Sequence, residues 1–110
     1  MKLPNGDLAV VDPRKIVEYC LSPDHEDGQH KSRLFASILG LNIDNADQLI
    51  EVLRNTATAG NATLGEHDQY GQRYVIDFEF AGRSGSAKVR SAWIIRQGET
   101  VPRLVTCYIL

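Results

Sequence analysis

The chain has 110 residues, of which 43% are hydrophobic and 24% charged, as expected for one globular domain spanning residues 1–110. Its formal net charge of −2 argues against a protein that coats nucleic acid through charge alone. No apolar run approaches the roughly 20 residues that a membrane-spanning helix needs. The first residues also lack the apolar stretch of a signal peptide. We therefore expect no membrane contact and a cytoplasmic location.

Charge is distributed unevenly along the chain. Residues 1–70 contain 6 Lys/Arg and 11 Asp/Glu, a net charge of −5, whereas residues 71–110 contain 6 Lys/Arg and 3 Asp/Glu, a net charge of +3. The basic C-terminal part is compatible with a local anion-binding site. Basic side chains at strand edges, which discourage aggregation, are the alternative interpretation.

The first predicted helix begins at a recognisable start signal. Asp12 followed by Pro13 is typical of a helix cap and first helical position. Pro23 disfavours helical geometry in the residue before it, so this helix should end near residue 21. The short apolar run at residues 8–11, just before the helix, is interpreted as an edge strand.

Two further helices are expected before residue 60. Apolar residues at helical spacing predict a helix over residues 30–39, and Gly40 is placed to end it. Asn45 and Gln48 resemble a capping box that opens a third helix.

Strands are predicted for the remainder of the chain. The expected strands are a weak one at residues 62–67, a strongly alternating one at 73–80, and two more at 86–96 and 102–109, with a hairpin turn at 81–85. Helices that precede antiparallel strands indicate the α+β class. We therefore expect the N-terminal helices to pack on one face of a roughly four-stranded antiparallel sheet.

Alternation within the strands predicts which side chains face away from the helices. In the last strand Val105, Cys107 and Ile109 should meet the helices, which leaves Thr106 and Tyr108, together with Leu104, on the open face. In the preceding strand Arg90 and Ser91 lie on opposite sides. The pattern does not decide which of these two sides is open, so both remain candidates.

His30, at the predicted start of the second helix, is the strongest candidate for a general base. The unperturbed pKa of imidazole lies near neutrality, and the positive end of a helix favours the neutral, base-competent form. Lys31 and Arg33 lie near the same helix end and suit phosphate binding. The alternative is that all three are ordinary exposed side chains.

Arg90 is unusual because it lies in the middle of an otherwise apolar strand. A half-buried guanidinium needs an anionic partner, which is either a substrate phosphate or a cross-strand carboxylate from Asp77 or Glu79. Thr106 and Tyr108 supply hydroxyl groups that suit phosphate orientation, although both residue types are also common in sheets.

Ser91 and Trp93 complete the set of candidate substrate-binding residues. The indole of Trp93 suits stacking on a nucleobase, and packing in the core is the more common role of such a residue. Cys20 and Cys107 show no metal-ligand spacing and are interpreted as buried apolar residues, with a disulfide left open. No phosphate loop, zinc motif or hydrolase elbow is present, so we expect neither a cofactor nor a metal.

Several segments together resemble a family of small bacterial domains of unknown function across nearly the whole chain. The landmarks are KLPN at 2–5, YCLSPDH at 19–25, GQHKSRLF at 28–35, LG at 39–40, YGQRY at 70–74, VRSAW at 89–93 and TCY at 106–108. The layout is also similar to toxin ribonucleases of the barnase–EndoU–colicin–RelE type. That resemblance implies RNA-cleaving residues on the open face of the sheet.

The resulting hypothesis is a metal-independent endoribonuclease, the toxin of a toxin–antitoxin or contact-toxin system. The resemblance implies that His30 acts as base, that Lys31 and Arg90 bind phosphate, and that Tyr108 and Thr106 orient it. RNA would be the substrate, and a small antitoxin or immunity-type protein would mask the site. The alternative is a non-enzymatic protein-interaction module with an antitoxin, immunity or regulatory role.

Overall fold

The computed structural model describes residues 1–21 and 29–110, without the side chains of Tyr19, Gln29, His30 and Lys31. The first part of the chain is helical. It contains a 3₁₀ turn at Gly6–Leu8, helix α1 (α-helical at Pro13–Lys15, then π-helical at Ile16–Cys20), helix α2 at Gln29–Leu39, a 3₁₀ turn at Ile43–Asn45 and helix α3 at Ala46–Ala59. No helix in the described part of the chain is long and apolar enough to cross a membrane.

Four antiparallel strands follow the helices in a simple meander. Their bounds are β1 at Ala62–Asp68, β2 at Gly71–Gly82, β3 at Gly85–Arg96 and β4 at Arg103–Ile109, and their order in the sheet is β1-β2-β3-β4. The α+β class and the order of helices before strands are confirmed. Helix α2 packs against β2, β3 and β4, so one face of the sheet is covered and the other is open.

Local sequence signals explain where α1 begins and where α2 ends. The carboxylate of Asp12 accepts a hydrogen bond from the backbone N–H of Arg14 at 3.0 Å, which confirms the predicted cap of α1. Gly40 adopts a φ of +68°, a left-handed conformation that favours glycine, and thereby ends α2 as predicted.

The predicted capping box at Asn45 and Gln48 is wrong by three residues. The side chain of Asn42 accepts from the N–H of Asp44 at 2.9 Å, and Asn45 Oδ1 accepts in turn from the N–H of Asn42 at 2.7 Å. Because Asn45 also donates to the carbonyl of Gly40 at 2.9 Å, its side chain is turned back and makes no cap bond to α3. The box therefore opens the preceding 3₁₀ turn.

The run at residues 8–11 does not form the predicted edge strand. Only Val10 pairs with the sheet, through an isolated parallel bridge to Arg103. Its N–H donates to the carbonyl of Pro102 at 2.9 Å, and its carbonyl accepts from the N–H of Leu104 at 2.9 Å. This single residue covers the outer edge of β4 where the strand begins.

The covered face of the sheet forms the core with the helices. Trp93, Ile76 and Val89 are fully buried there against Phe35 and Leu53 of the helical layer. Strand β2 pairs with β3 along its complete length, from Gly71 opposite Arg96 to Gly82 opposite Gly85. A two-residue turn connects the two strands. That continuous register fixes which side chains share a face.

A β-bulge in β4 corrects one predicted strand face. Ala92 pairs with Thr106, yet Trp93 pairs with Leu104, so Val105 is an extra residue on β4. The bulge turns Leu104 into the core at 2% exposure, on the same side as Cys107. Leu104 therefore does not share a face with Thr106, as simple alternation had predicted.

Candidate functional site

Arg90 occupies the centre of the open face of the sheet. It lies on β3 directly opposite Asp77 of β2 and Tyr108 of β4. Its Nε donates to Asp77 Oδ1 at 2.8 Å and its Nη2 to Asp77 Oδ2 at 2.9 Å, a bidentate pair. Tyr108 lies close enough to Arg90 to help raise the pKa of the guanidinium. A polar row therefore crosses three adjacent strands of the open face.

The ion pair keeps both of its members charged. Hydrogen bonding from Arg90 lowers the pKa of Asp77 below its ordinary value. Hydrogen bonding to Asp77 in turn raises the pKa of Arg90 above its ordinary value, and the contact with Tyr108 acts in the same direction. The side chains of Arg90 and Asp77 remain 38% and 31% exposed, so a ligand in solvent can reach them.

A groove lies beside this row, towards β1. Its volume is about 390 Å³, and it is lined by Asn61, Thr63, Val75, Asp77 and Arg90. Pockets of roughly 300–1,000 Å³ are typical of small-ligand sites, so the groove has room for a nucleotide-sized group. Sequence reasoning did not identify the groove, because its walls come from two strands whose pairing register is not evident from composition.

The structure settles which side of β3 is open. Arg90 faces solvent, whereas Ser91 is fully buried on the helix side. The Ser91 hydroxyl donates to the carbonyl of Ile76 at 2.8 Å and accepts from the indole N–H of Trp93 at 2.9 Å. Trp93 is also fully buried. The predicted substrate-binding roles of Ser91 and Trp93 are therefore corrected to core packing, because neither side chain reaches the surface.

The structure brings three of the predicted site residues together. Tyr108 lies opposite Arg90, and Thr106 lies opposite Ala92, two residues further along the same face of β3. Of the two partners considered for Arg90, the cross-strand register selects Asp77, since Glu79 lies opposite Lys88. Arg90, Thr106 and Tyr108 therefore form one surface, and Asp77 belongs to it.

The residues predicted on α2 belong to the helical layer. Arg33 is exposed and lines a different cavity, of about 530 Å³, between α2 and the 3₁₀ turn at Ile43–Asn45. The side chains of His30 and Lys31 lie outside the described residues, so their approach to Tyr108 stays a prediction. In the described part of the chain, no three His, Cys, Asp or Glu side chains cluster as metal ligands would.

The fold of this chain is similar to that of a solved structure over most of its length. That structure is described as a contact-dependent growth inhibition toxin–immunity protein complex from Klebsiella pneumoniae 342, and the matching chain is 21% identical with a TM-score of 0.65. The likeness covers 90% of this chain and 97% of that chain, which establishes a shared fold. No curated protein matches the sequence. A family match extends over residues 2–110, and the chain therefore belongs to the family described as a domain of unknown function, DUF6883.

Proposed function

We propose that this domain is a metal-independent endoribonuclease and the toxin of a bacterial toxin–antitoxin or contact-toxin system. The observation that carries the proposal is the surface formed by Arg90, Thr106 and Tyr108 on the open face of the sheet. A cation beside two hydroxyl groups is the arrangement that binds and stabilises a phosphate whose negative charge increases during reaction. The fold that this chain shares with a chain of a toxin–immunity complex supports the proposed role in a toxin system.

Arg90 stabilises the additional charge of the phosphorane in this proposal. A guanidinium has five N–H donors, and Asp77 accepts two of them, so the ion pair does not exhaust the donors of Arg90. Asp77 also fixes the plane of the guanidinium on the sheet, which reduces the entropy that Arg90 loses when it binds phosphate. Asp77 is therefore a positioning residue.

Tyr108 and Thr106 hold the scissile phosphate against Arg90. The hydroxyl of a tyrosine opposite Arg90 can donate a hydrogen bond to a phosphate oxygen that the guanidinium binds. The groove that starts at Arg90 offers space for the nucleotide on one side of the phosphate. Arg33 lines the separate cavity on the helical side, where it suits contact with a more distant part of the RNA.

His30 and Lys31 complete the proposed chemistry. The ribose 2′-hydroxyl attacks the adjacent phosphorus as His30 accepts its proton, and the bond from phosphorus to the 5′-oxygen breaks. The departing 5′-oxygen takes up a proton from water, and a 2′,3′-cyclic phosphate remains on the other fragment. Lys31 shares with Arg90 the neutralisation of the phosphorane. RNA in the cytoplasm is the proposed substrate, and a small antitoxin or immunity-type protein is the proposed partner.

A non-enzymatic interaction module is the second candidate. It is favoured by one observation, namely that the charge of Arg90 is already balanced by Asp77 in a well-formed bidentate pair. Under this alternative the open face binds another protein, and the ion pair is structural.

RNA cleavage in excess chelator distinguishes the two candidates. The purified domain is incubated with mixed RNA beside the His30→Ala and Arg90→Ala variants, with Arg54→Ala as a control that removes an exposed arginine of α3. The proposal expects 2′,3′-cyclic phosphate ends from the parent and from Arg54→Ala, and on the order of 10²-fold slower cleavage by the other two. Intact RNA in every tube, with no growth arrest on expression, would favour the interaction module.

A further inference from the structure

The thiols of Cys20 and Cys107 are in direct contact in the core. Cys20 is the last residue of α1 and Cys107 lies in β4, 87 positions further along the chain. Their Sγ atoms are 3.7 Å apart, and Cys20 Sγ also lies 3.7 Å from the carbonyl oxygen of Cys107. The residues are 1% and 0% exposed. Two thiols that are distant in sequence therefore meet in the folded chain.

We propose that Cys20 and Cys107 form a redox pair, joined as an intramolecular disulfide when the chain folds under oxidising conditions. The inference is independent of the proposed nuclease function. It identifies a covalent modification site whose co-reactant is a small-molecule or protein disulfide. The two states are a dithiol and a disulfide of the same fold.

The two sulfur atoms are close enough for a bond to form after a small movement. A disulfide has an S–S bond of about 2.05 Å, so the two sulfur atoms must approach by less than about 2 Å. Rotation of the two side chains about their Cα–Cβ bonds moves the sulfur atoms on this scale. Both residues belong to regular elements of one hydrophobic core, which holds the two thiols near each other.

The reaction is thiol–disulfide exchange. One cysteine thiolate attacks a glutathione disulfide, which releases one glutathione thiol and leaves a mixed disulfide on the protein. The second cysteine thiolate then displaces the second glutathione. The protein loses two protons and two electrons, and one glutathione disulfide takes them up to become two glutathione thiols. Because both thiols are buried, exchange takes place during folding or transient opening.

The cross-link would fasten α1 to the strand that carries the open-face hydroxyls. Cys107 lies between Thr106 and Tyr108 in sequence, yet its side chain points to the covered face. The bond therefore stabilises the layer contact from inside the core and leaves the surface around Arg90 unchanged. Oxidation is expected to increase stability without altering that surface.

An equilibrium measurement with glutathione buffers tests the proposal. The chain is equilibrated with mixtures of reduced and oxidised glutathione, in native buffer and in denaturant, then alkylated and weighed by mass spectrometry. Each condition gives an equilibrium constant for the exchange that converts the dithiol and oxidised glutathione into the disulfide and reduced glutathione. By linkage, the ratio of the native constant to the denatured constant equals the factor by which the bond stabilises the native state. Closing a loop of this length predicts a native constant roughly 10³-fold larger than the denatured one.

Each other outcome contradicts the proposal. Equal constants, a smaller native constant, or a product that is an intermolecular dimer would show that the contact is packing alone. The control is Cys20→Ala, whose melting temperature should not depend on the glutathione ratio, whereas that of the parent chain should increase with oxidation. A parent chain whose melting temperature is unchanged or lowered by oxidation would also overturn the inference.

Discussion

The two faces of the sheet hold different kinds of interaction. On the covered face, Trp93 is fully buried, and its only polar group donates to the buried hydroxyl of Ser91. On the open face, Arg90 and Asp77 make a bidentate ion pair that remains partly exposed to water. Loss of a contact on the covered face lowers the free energy of unfolding strongly, because no water replaces the lost partner. An exposed ion pair contributes little to that free energy. The difference indicates that the covered face stabilises the fold and that the open face is available for binding.

The largest expected effect comes from emptying the centre of the covered face. Trp93→Ala should lower the free energy of unfolding by about 3–5 kcal/mol, because it removes a fully buried side chain and leaves a cavity. Denaturant unfolding followed by far-UV circular dichroism measures the change. Tyr70→Ala, which truncates an exposed aromatic residue, is the control and should change stability by less than about 0.5 kcal/mol. A similar loss in both variants would contradict the assignment of Trp93 to the core.

A smaller loss is expected when only the polar link of the covered face is removed. Ser91→Ala deletes the acceptor of the indole N–H and should cost about 1–3 kcal/mol, because that donor is then buried without a partner. Ser86→Ala, at the exposed start of β3, is the matched control. Equal unfolding midpoints for the two variants would show that the Ser91 hydroxyl does not stabilise the core.

The ion pair of the open face should contribute still less. Asp77→Asn should lower the free energy of unfolding by less than about 1 kcal/mol at neutral pH. Because the pKa of Asp77 is lowered by Arg90 in the folded state, its contribution is complete above the unfolded pKa, near the model-compound value of 3.8. It is then lost as the pH falls through the folded pKa.

The way in which the stability difference between the parent chain and Asp77→Asn changes with pH provides a further check on the ion pair. The difference in stability between the parent and Asp77→Asn should be constant from about pH 7 to pH 5 and should shrink below about pH 4. Glu79→Gln, two residues along the same face of β2 and opposite Lys88, is the reference. A loss above 2 kcal/mol in Asp77→Asn would place the ion pair among the main supports of the fold.

Sequence periodicity was sufficient to predict that the helices cover one face of the sheet. It was insufficient to predict the β-bulge and the helix cap. The alternation of β2 and the apolar spacing of the helices each express burial directly, so the α+β class was predictable. The bulge at Val105 was not predictable, because one inserted residue leaves no glycine or proline signal in the sequence. The bulge nevertheless turns Leu104 into the core. The cap at Asn42 was displaced because Asn45 bonds back to Asn42 and Gly40.

The open face was harder to predict for a different physical reason. Both sides of β3 carry apolar and polar residues, and only the buried bond between Ser91 and Trp93 shows which polar residue belongs inside. Arg90, Thr106 and Tyr108 were identified by residue type, whereas the choice of Asp77 over Glu79 depends on the register set by the β2–β3 turn. Such pairings are properties of the folded sheet and not of any local window of sequence.

The most direct test of the account is the rate of RNA cleavage after removal of one hydroxyl group from the open face. Tyr108→Phe should slow single-turnover cleavage on the order of 10²-fold while leaving stability nearly unchanged. Tyr70→Phe, which removes the hydroxyl of an exposed tyrosine outside that surface, should cleave at the parent rate. Equal cleavage by the parent and both variants would contradict the claim that the surface formed by Arg90, Thr106 and Tyr108 carries the chemistry.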